Sequence, residues 1–223
     1  MSSSLLSTDF VEKLRGDMAA YLSAQRQLAP AFSFEIGWSK KYDALLEQQF
    51  SFKTAPDQII PQAVGTGRAL ISGRGGAAKT SIVHRLIGES LKDPGIFPVL
   101  INMKAWNPVL EDQWKKFSDW FGRMDFLFRH LGIPGVTVAT LDAADPAVLR
   151  LVFLDGLNEV SSTIAQDIIT AADEFVRHSL QTVMVLTDRI VRRSFREAGR
   201  WKLGMVLPLS TEEVTKQVNG QFG

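Results

Sequence analysis

The first 64 residues carry one clear helical pattern followed by a mixed one. Apolar side chains recur at helical spacing over residues 5–28, and Pro30 follows where a helix should end. Residues 32–49 are typical of a short extended piece followed by a second helix. Prolines and glycines from Pro56 to Gly67 then indicate a linker. We therefore expect a mainly helical N-terminal segment, residues 1–64, ahead of the rest of the chain.

From residue 65 onward, short apolar runs alternate with longer amphipathic stretches. The apolar runs predict strands near 68–72, 97–103, 150–154, 182–187 and 204–208. The amphipathic stretches predict helices near 79–91, 109–131, 163–180, 189–199 and 210–221. Regular alternation of strand and helix is typical of a parallel sheet covered by helices on both faces. The fold predicted for residues 65–209 is therefore an α/β three-layer sandwich around a parallel five-stranded sheet.

A glycine-rich segment separates the first of these strands from the first of these helices. Residues 73–80 read Gly-Arg-Gly-Gly-Ala-Ala-Lys-Thr, which follows the P-loop pattern G-x-x-x-x-G-K-S/T except that Ala78 replaces the second glycine. A helix N-terminus presents unpaired N–H groups and a positive dipole end, which together favour phosphate. An ordinary glycine-rich turn without a ligand is the alternative. The predicted nucleotide-binding residues are Gly73, Arg74, Gly75, Gly76, Ala77, Ala78, Lys79, Thr80 and Ser81.

Two carboxylates follow the apolar run 151–154. The run suits a buried parallel strand, and Asp155 would lie at its carboxyl end, where ligands bind in open α/β sheets. We expect Asp155 and Thr80 to hold Mg²⁺, and Glu159 to polarise an attacking water. Taken alone, Asp155 has a less favoured alternative as a helix cap or a turn residue.

The strand predicted at 182–187 is followed by Asp188 and Arg189. An arginine at the carboxyl end of a strand beside a phosphate-binding loop can contact the γ-phosphate and report its presence. Without the other two segments, Arg189 would be interpreted as a surface residue in an ion pair.

These three segments, in this order, resemble the NACHT family of STAND-type signalling ATPases, which have a P-loop NTPase fold. Residues 153–159, Phe-Leu-Asp-Gly-Leu-Asn-Glu, are similar to the family's apolar strand followed by D-G-L-D-E. Residues 187–189 are similar to its T-S-R sensor segment, and residues 207–214 to its entry into a helical subdomain. The resemblance covers residues 66–223. Asn158 departs from it by replacing the first acid of the D-E pair.

The resemblance implies an ATP-binding, slowly hydrolysing molecular switch of a signalling or innate-immune defence protein. ATP or ADP with Mg²⁺ would be the cofactors, and Asp155, Glu159 and Arg189 the catalytic residues. It further implies nucleotide-dependent homo-oligomerisation of the full-length protein in response to an unknown signal or effector partner. Residues 210–223 would begin a truncated helical subdomain. ATP is preferred over GTP because the chain lacks an N-K-x-D segment.

Two other functions remain open at this stage. One is a degenerate NTPase fold that acts as an interaction scaffold and binds nucleotide weakly or not at all, because Ala78 and Asn158 depart from their motifs. The other is a P-loop kinase or transferase acting on a small acceptor. The segments around Asp155 and Arg189 fit hydrolysis and sensing better than transfer.

The composition of the chain narrows the possible classes of function further. The net charge of +1 gives no strong nucleic-acid signal. The absence of cysteine excludes disulfides and thiolate chemistry and is compatible with the cytoplasmic location that we expect. No apolar run is long enough to predict a membrane span. The three histidines lack metal-ligand spacing.

Overall fold

Seven strands form a single mixed sheet in the computed structural model, which describes residues 8–24, 34–179, 181–189 and 198–208. Their order across the sheet is β2-β1-β7-β3-β6-β5-β4. The strands are β1 (Ile36–Ser39), β2 (Phe52–Thr54), β3 (Arg68–Ser72), β4 (Ile96–Asn102), β5 (Leu149–Asp155), β6 (Thr182–Asp188) and β7 (Lys202–Val206).

The prediction of a purely parallel five-stranded sheet is wrong. The five predicted strands, β3 to β7, do form and are parallel to one another. However, β1 pairs antiparallel with β7, and β2 pairs antiparallel with β1. This addition satisfies the backbone groups at the outer edge of β7, which would otherwise be unpaired. Both added strands come from the N-terminal segment, where Ile36 and Trp38 are buried side chains of the core.

Eight α-helices accompany the sheet in the described residues. They are α1 (Thr8–Ala24), α2 (Tyr42–Leu46), α3 (Ile59–Val64), α4 (Lys79–Ser90), α5 (Pro108–Trp114), α6 (Trp120–Leu131), α7 (Val138–Asp142) and α8 (Ser162–His178). None of the helices in these ranges combines the length and apolar character required to cross a bilayer.

The single helix predicted over 109–131 is in fact two helices. Asp119 starts α6, because its side chain accepts a hydrogen bond from the backbone N–H of Gly122 at 2.8 Å. The predicted linker contains α3. Most of the predicted helix 189–199, and all of 210–221, lie outside the described residues, as does most of the segment similar to the family's helical-subdomain entry.

Two hydrophobic cores lie on the two faces of the sheet. In β5, Val152 and Leu154 belong to one core, whereas Leu151 and Phe153 belong to the other. This alternation follows from the period of two in a strand, and all four side chains are fully buried. A strand that is apolar on both sides is therefore stabilised only between two helical layers.

The N-terminal helix α1 is fixed to the sheet by polar contacts as well as apolar ones. The guanidinium of Arg15 donates hydrogen bonds to the backbone oxygens of Ile96 and Leu91. Further along α1, the hydroxyl of Tyr21 accepts a hydrogen bond from the side-chain amide of Asn102 at 3.1 Å. Because Asn102 is the last residue of β4, α1 contacts the carboxyl end of the sheet.

Candidate functional site

The glycine-rich loop, residues 73–78, joins β3 to α4 and contains two residues with positive φ. Gly76 has φ +77°, and Ala78 has φ +55° and ψ +21°. An L-residue in this left-handed conformation costs about 1–2 kcal/mol relative to the right-handed one. Ala78 therefore holds the backbone conformation for which a glycine is normally used. Its carbonyl accepts the first hydrogen bond of α4, from the N–H of Ile82 at 2.9 Å.

Lys79, the first residue of α4, turns its ammonium back over the glycine-rich loop. Its Nζ donates to the backbone oxygens of Gly73 at 2.7 Å and Arg74 at 3.0 Å. Burial lowers the pKa of Lys79; nearby Asp155 opposes this shift, whereas Arg189 adds to it. The charge state of the ammonium thus depends on a nearby carboxylate and on a second nearby cation.

Asp155 ends β5 and is almost fully buried, with 3% of its surface exposed. Its Oδ2 accepts a hydrogen bond from the hydroxyl of Thr80 at 2.7 Å, and its Oδ1 accepts one from the hydroxyl of Thr187 at 2.6 Å. Thr187 in turn accepts from the backbone N–H of Gly156 at 2.9 Å. A buried carboxylate with a donor on each oxygen is held in one orientation. The first turn of α4 and the ends of β5 and β6 are thereby joined.

Glu159 lies on a 3₁₀ turn, residues 157–159, just beyond β5. Its side chain is exposed, and its Oε1 accepts a hydrogen bond from the amide of Asn158 at 2.8 Å. Asn158, which replaces the first acid of the D-E pair, therefore donates a hydrogen bond to the second acid, Glu159.

Arg189 directly follows β6, and its backbone N–H donates to the carboxylate of Asp188 at 2.7 Å. Asp188 is in register with Ser72, the last residue of β3. Arg189 is thus carried next to the start of the glycine-rich loop. Its side chain is exposed.

A cleft of about 310 Å³ brings most of the predicted site residues together. Residues 75–81, Asp155, Glu159 and Arg189 all line it. Gly73 and Arg74 do not, but their carbonyl groups accept the hydrogen bonds of Lys79. A second, more apolar cavity of about 350 Å³ lies between α1 and the residues after α6, and no predicted site residue lines it.

No role at the site was predicted from the sequence for two residues that line the cleft, Thr187 and Lys104, or for His84 beside it. Thr187 was part of a recognised segment, but its contact with Asp155 was not foreseen. Lys104 follows β4 and lines the cleft. The half-buried His84 lies one helical turn after Thr80, edge-on to the ring of Tyr21 at 6.1 Å. Burial lowers the pKa of His84; Asp155 opposes this shift and Lys104 adds to it. Their positions could have indicated the site: Thr187 and Lys104 lie at the carboxyl ends of strands, and His84 lies on the same face of α4 as Thr80.

The side chains present suit Mg²⁺ better than a metal with several protein ligands. Across the described ranges, no group of three or more His, Asp or Glu side chains is placed to hold a metal ion. Mg²⁺ is usually bound through one or two carboxylates together with substrate phosphates and waters. The Thr80 hydroxyl and the Asp155 carboxylate, 2.7 Å apart, are such a donor set.

No protein family model matches this chain, and no curated protein matches it. Among solved structures, it is similar to the structure of PCH-2 from C. elegans, with a TM-score of 0.40 and 13% sequence identity. The match covers 81% of this chain and 45% of that chain, so this chain spans less than half of that structure's length. We draw no functional conclusion from a likeness of this size.

Proposed function

We propose that the cleft binds Mg²⁺-ATP and that the protein is a slowly hydrolysing ATP-dependent switch. The observation that carries this proposal is the hydrogen bond between Thr80 and Asp155, since it joins the first turn of α4, directly after the glycine-rich loop, to the acid at the end of β5. Two segments more than 70 residues apart thereby form one polar cleft with Lys79 and Arg189. A volume of about 310 Å³ lies at the lower end of the range for small-molecule sites.

Phosphate binding would use groups that already face the cleft. The backbone N–H groups at the start of α4 favour an anion. The Lys79 ammonium would exchange its two carbonyl acceptors for phosphate oxygens, and hydrogen bonds between charged partners are about twice as strong as neutral ones. This exchange would also place a negative charge beside Arg189, whose cation is otherwise close to that of Lys79.

Thr80 and Asp155 would hold the metal, and Mg²⁺, when bound, neutralises charge on the β- and γ-phosphates. Glu159 would accept a proton from the attacking water, and Arg189 would contact the γ-phosphate. Two features favour slow turnover. The Glu159 carboxylate is already engaged by Asn158, and it lies at an exposed position where water is not excluded.

The biological role rests on the motif resemblance alone. We propose that the protein is a NACHT-like STAND switch in signalling or defence, which homo-oligomerises when ATP is bound and a signal or effector is present. The alternative of an interaction scaffold is favoured by Ala78, which adds a methyl group at the position before Lys79 where the P-loop pattern has a glycine.

Calorimetric titration with ATP, ADP and GTP, with and without Mg²⁺, tests the proposal. We expect Mg²⁺-dependent ATP binding that is tighter than GTP binding. Lys79→Ala should weaken ATP binding by about 1.5–3 kcal/mol, or roughly 10- to 150-fold, as a lost charged hydrogen bond. Lys92→Ala is the matched control, because this lysine follows the other end of α4 and pairs with Glu89. A folded wild-type chain that binds no nucleotide would favour the scaffold instead.

A further inference from the structure

Lys104 is a cation of the cleft to which neither the sequence motifs nor the proposed function gives a role. It lies on the 3₁₀ turn 103–105, directly after β4. Asn102, the last residue of β4, is in register with Asp155 on β5. The backbone of Lys104 therefore lies two residues beyond the position level with Asp155. It is on the β4 side of the cleft, which is the side farther from β3.

The strand order separates Lys104 from the other two cations. From β3 the order is β6, β5 and β4, so β4 lies three strand spacings from the strand that leads to Lys79. At about 4.8 Å per spacing, this separation is about 14 Å. Arg189 follows β6, next to β3. Cations thus flank Asp155 on both sides: Lys79 and Arg189 on one, Lys104 on the other.

The backbone that carries Lys104 is held in place. Its N–H donates to the side-chain oxygen of Asn102 at 3.1 Å, and the amide of Asn102 donates to the hydroxyl of Tyr21 at 3.1 Å. The side chain itself is exposed, and no carboxylate oxygen of the described residues lies within ion-pair distance of its ammonium. The side chain lines the cleft, and its charge adds to the lowering of the pKa of His84 that burial causes and Asp155 opposes.

We propose that Lys104 binds the terminal phosphate of a nucleoside triphosphate and so makes the cleft select triphosphate over diphosphate. Because Arg189 and Lys104 line the cleft on opposite sides of Asp155, the terminal phosphate of a chain that begins at the glycine-rich loop would lie between these two cations. A diphosphate is one group shorter and stops before Lys104. The inference rests on the proposed function, because it assumes that the glycine-rich loop holds the other phosphates.

The test compares the affinities for ADP and for a non-hydrolysable ATP analogue, measured calorimetrically in Mg²⁺. We expect Lys104→Ala to weaken binding of the ATP analogue about tenfold while ADP affinity stays within about twofold. Lys104→Arg should retain most of the preference for triphosphate because it keeps the charge. Lys116→Ala is the matched control, because this exposed lysine does not line the cleft, and both affinities should be unchanged.

The outcomes separate the two proposals. Suppose that the wild-type protein binds the ATP analogue. If Lys104→Ala then weakens the binding of ADP and of the analogue equally, or weakens neither, the role of Lys104 is overturned and nucleotide binding stands. If the folded wild-type protein binds neither nucleotide, the proposed function fails and the role of Lys104 fails with it. Circular dichroism of each variant identifies any loss that comes from unfolding.

Discussion

The hydroxyl of Thr187 donates a 2.6 Å hydrogen bond to the carboxylate of Asp155, across the ends of two adjacent parallel strands. Both residues are buried, with 1% and 3% of their surfaces exposed. The same hydroxyl accepts from the N–H of Gly156. A single side chain thereby satisfies a charged acceptor and a backbone donor that have little access to water.

Thr187→Val should therefore destabilise the fold. Valine has nearly the same shape, but it leaves Asp155 and Gly156 each without one partner, at a cost of about 1–3 kcal/mol in the free energy of unfolding. Thr187→Ser keeps the hydroxyl and should retain most of that stability. Urea denaturation of the three proteins measures the difference. Equal stability of the valine variant and the wild type would show that this hydrogen bond contributes nothing.

Ala78→Gly should stabilise the protein. Glycine removes about 1–2 kcal/mol of left-handed strain at φ +55°, although it also raises the entropy of the unfolded chain by about 0.4–1 kcal/mol. Ala77→Gly is the matched control, because Ala77 does not have a positive φ and should only lose stability. Denaturation midpoints decide between them. Equal stability of the Ala78→Gly and Ala77→Gly variants would show that Ala78 is not strained. Tighter ATP binding by Ala78→Gly would indicate, in addition, that the methyl group of Ala78 crowds the phosphate.

Glu159→Gln and Asp155→Ala should have different effects. The glutamine variant keeps the shape of the side chain but not the proton acceptor, so hydrolysis should fall by about 10²–10⁴-fold while Mg²⁺-ATP still binds. The Asp155 variant should lose metal-dependent binding as well as turnover. Phosphate release and calorimetry with and without Mg²⁺ measure both properties. The same phenotype in both variants would contradict the separate roles.

His84 should make the protein less stable in acid. Its pKa is lowered below the ordinary value of 6.5, mainly by burial, so the unfolded chain binds a proton more readily than the folded one. Stability is therefore retained above pH 6.5 and lost as the pH falls below it toward the lowered pKa. The fall in urea midpoint between pH 7.5 and 5.5 should be smaller in His84→Gln than in the wild type.

The parts of the site that follow from local sequence could be predicted. The glycine-rich loop and Arg189 each follow a strand with an apolar centre, Asp155 ends one, and parallel strands bring their carboxyl ends to one edge. The contact between Thr187 and Asp155 depends on which strands are neighbours. No local pattern specifies that order. Lys104 was missed because an exposed lysine is common, and only the position of β4 beside β5 makes it part of the cleft.

The errors in the fold have the same origin. Pairing between β1 and β7 joins residues 36–39 to residues 203–206, far apart in the chain, so the short apolar run at Ile36 could be seen but its partner could not. The break between α5 and α6 was hidden because the aromatic pattern continues through it. Asp119 was its one local signal, as an N-cap residue inside an apparently continuous helix.

The position of β6 between β3 and β5 has a mechanical consequence. The strand that leads to the glycine-rich loop and the strand that ends in Asp155 share no backbone hydrogen bonds with each other; each is paired with β6. A displacement of β6 along its own axis would shift its register against both neighbours at once. Because Arg189 continues this strand, a force on its guanidinium would act directly on the seven-residue strand β6 through the backbone, without any intervening side chains.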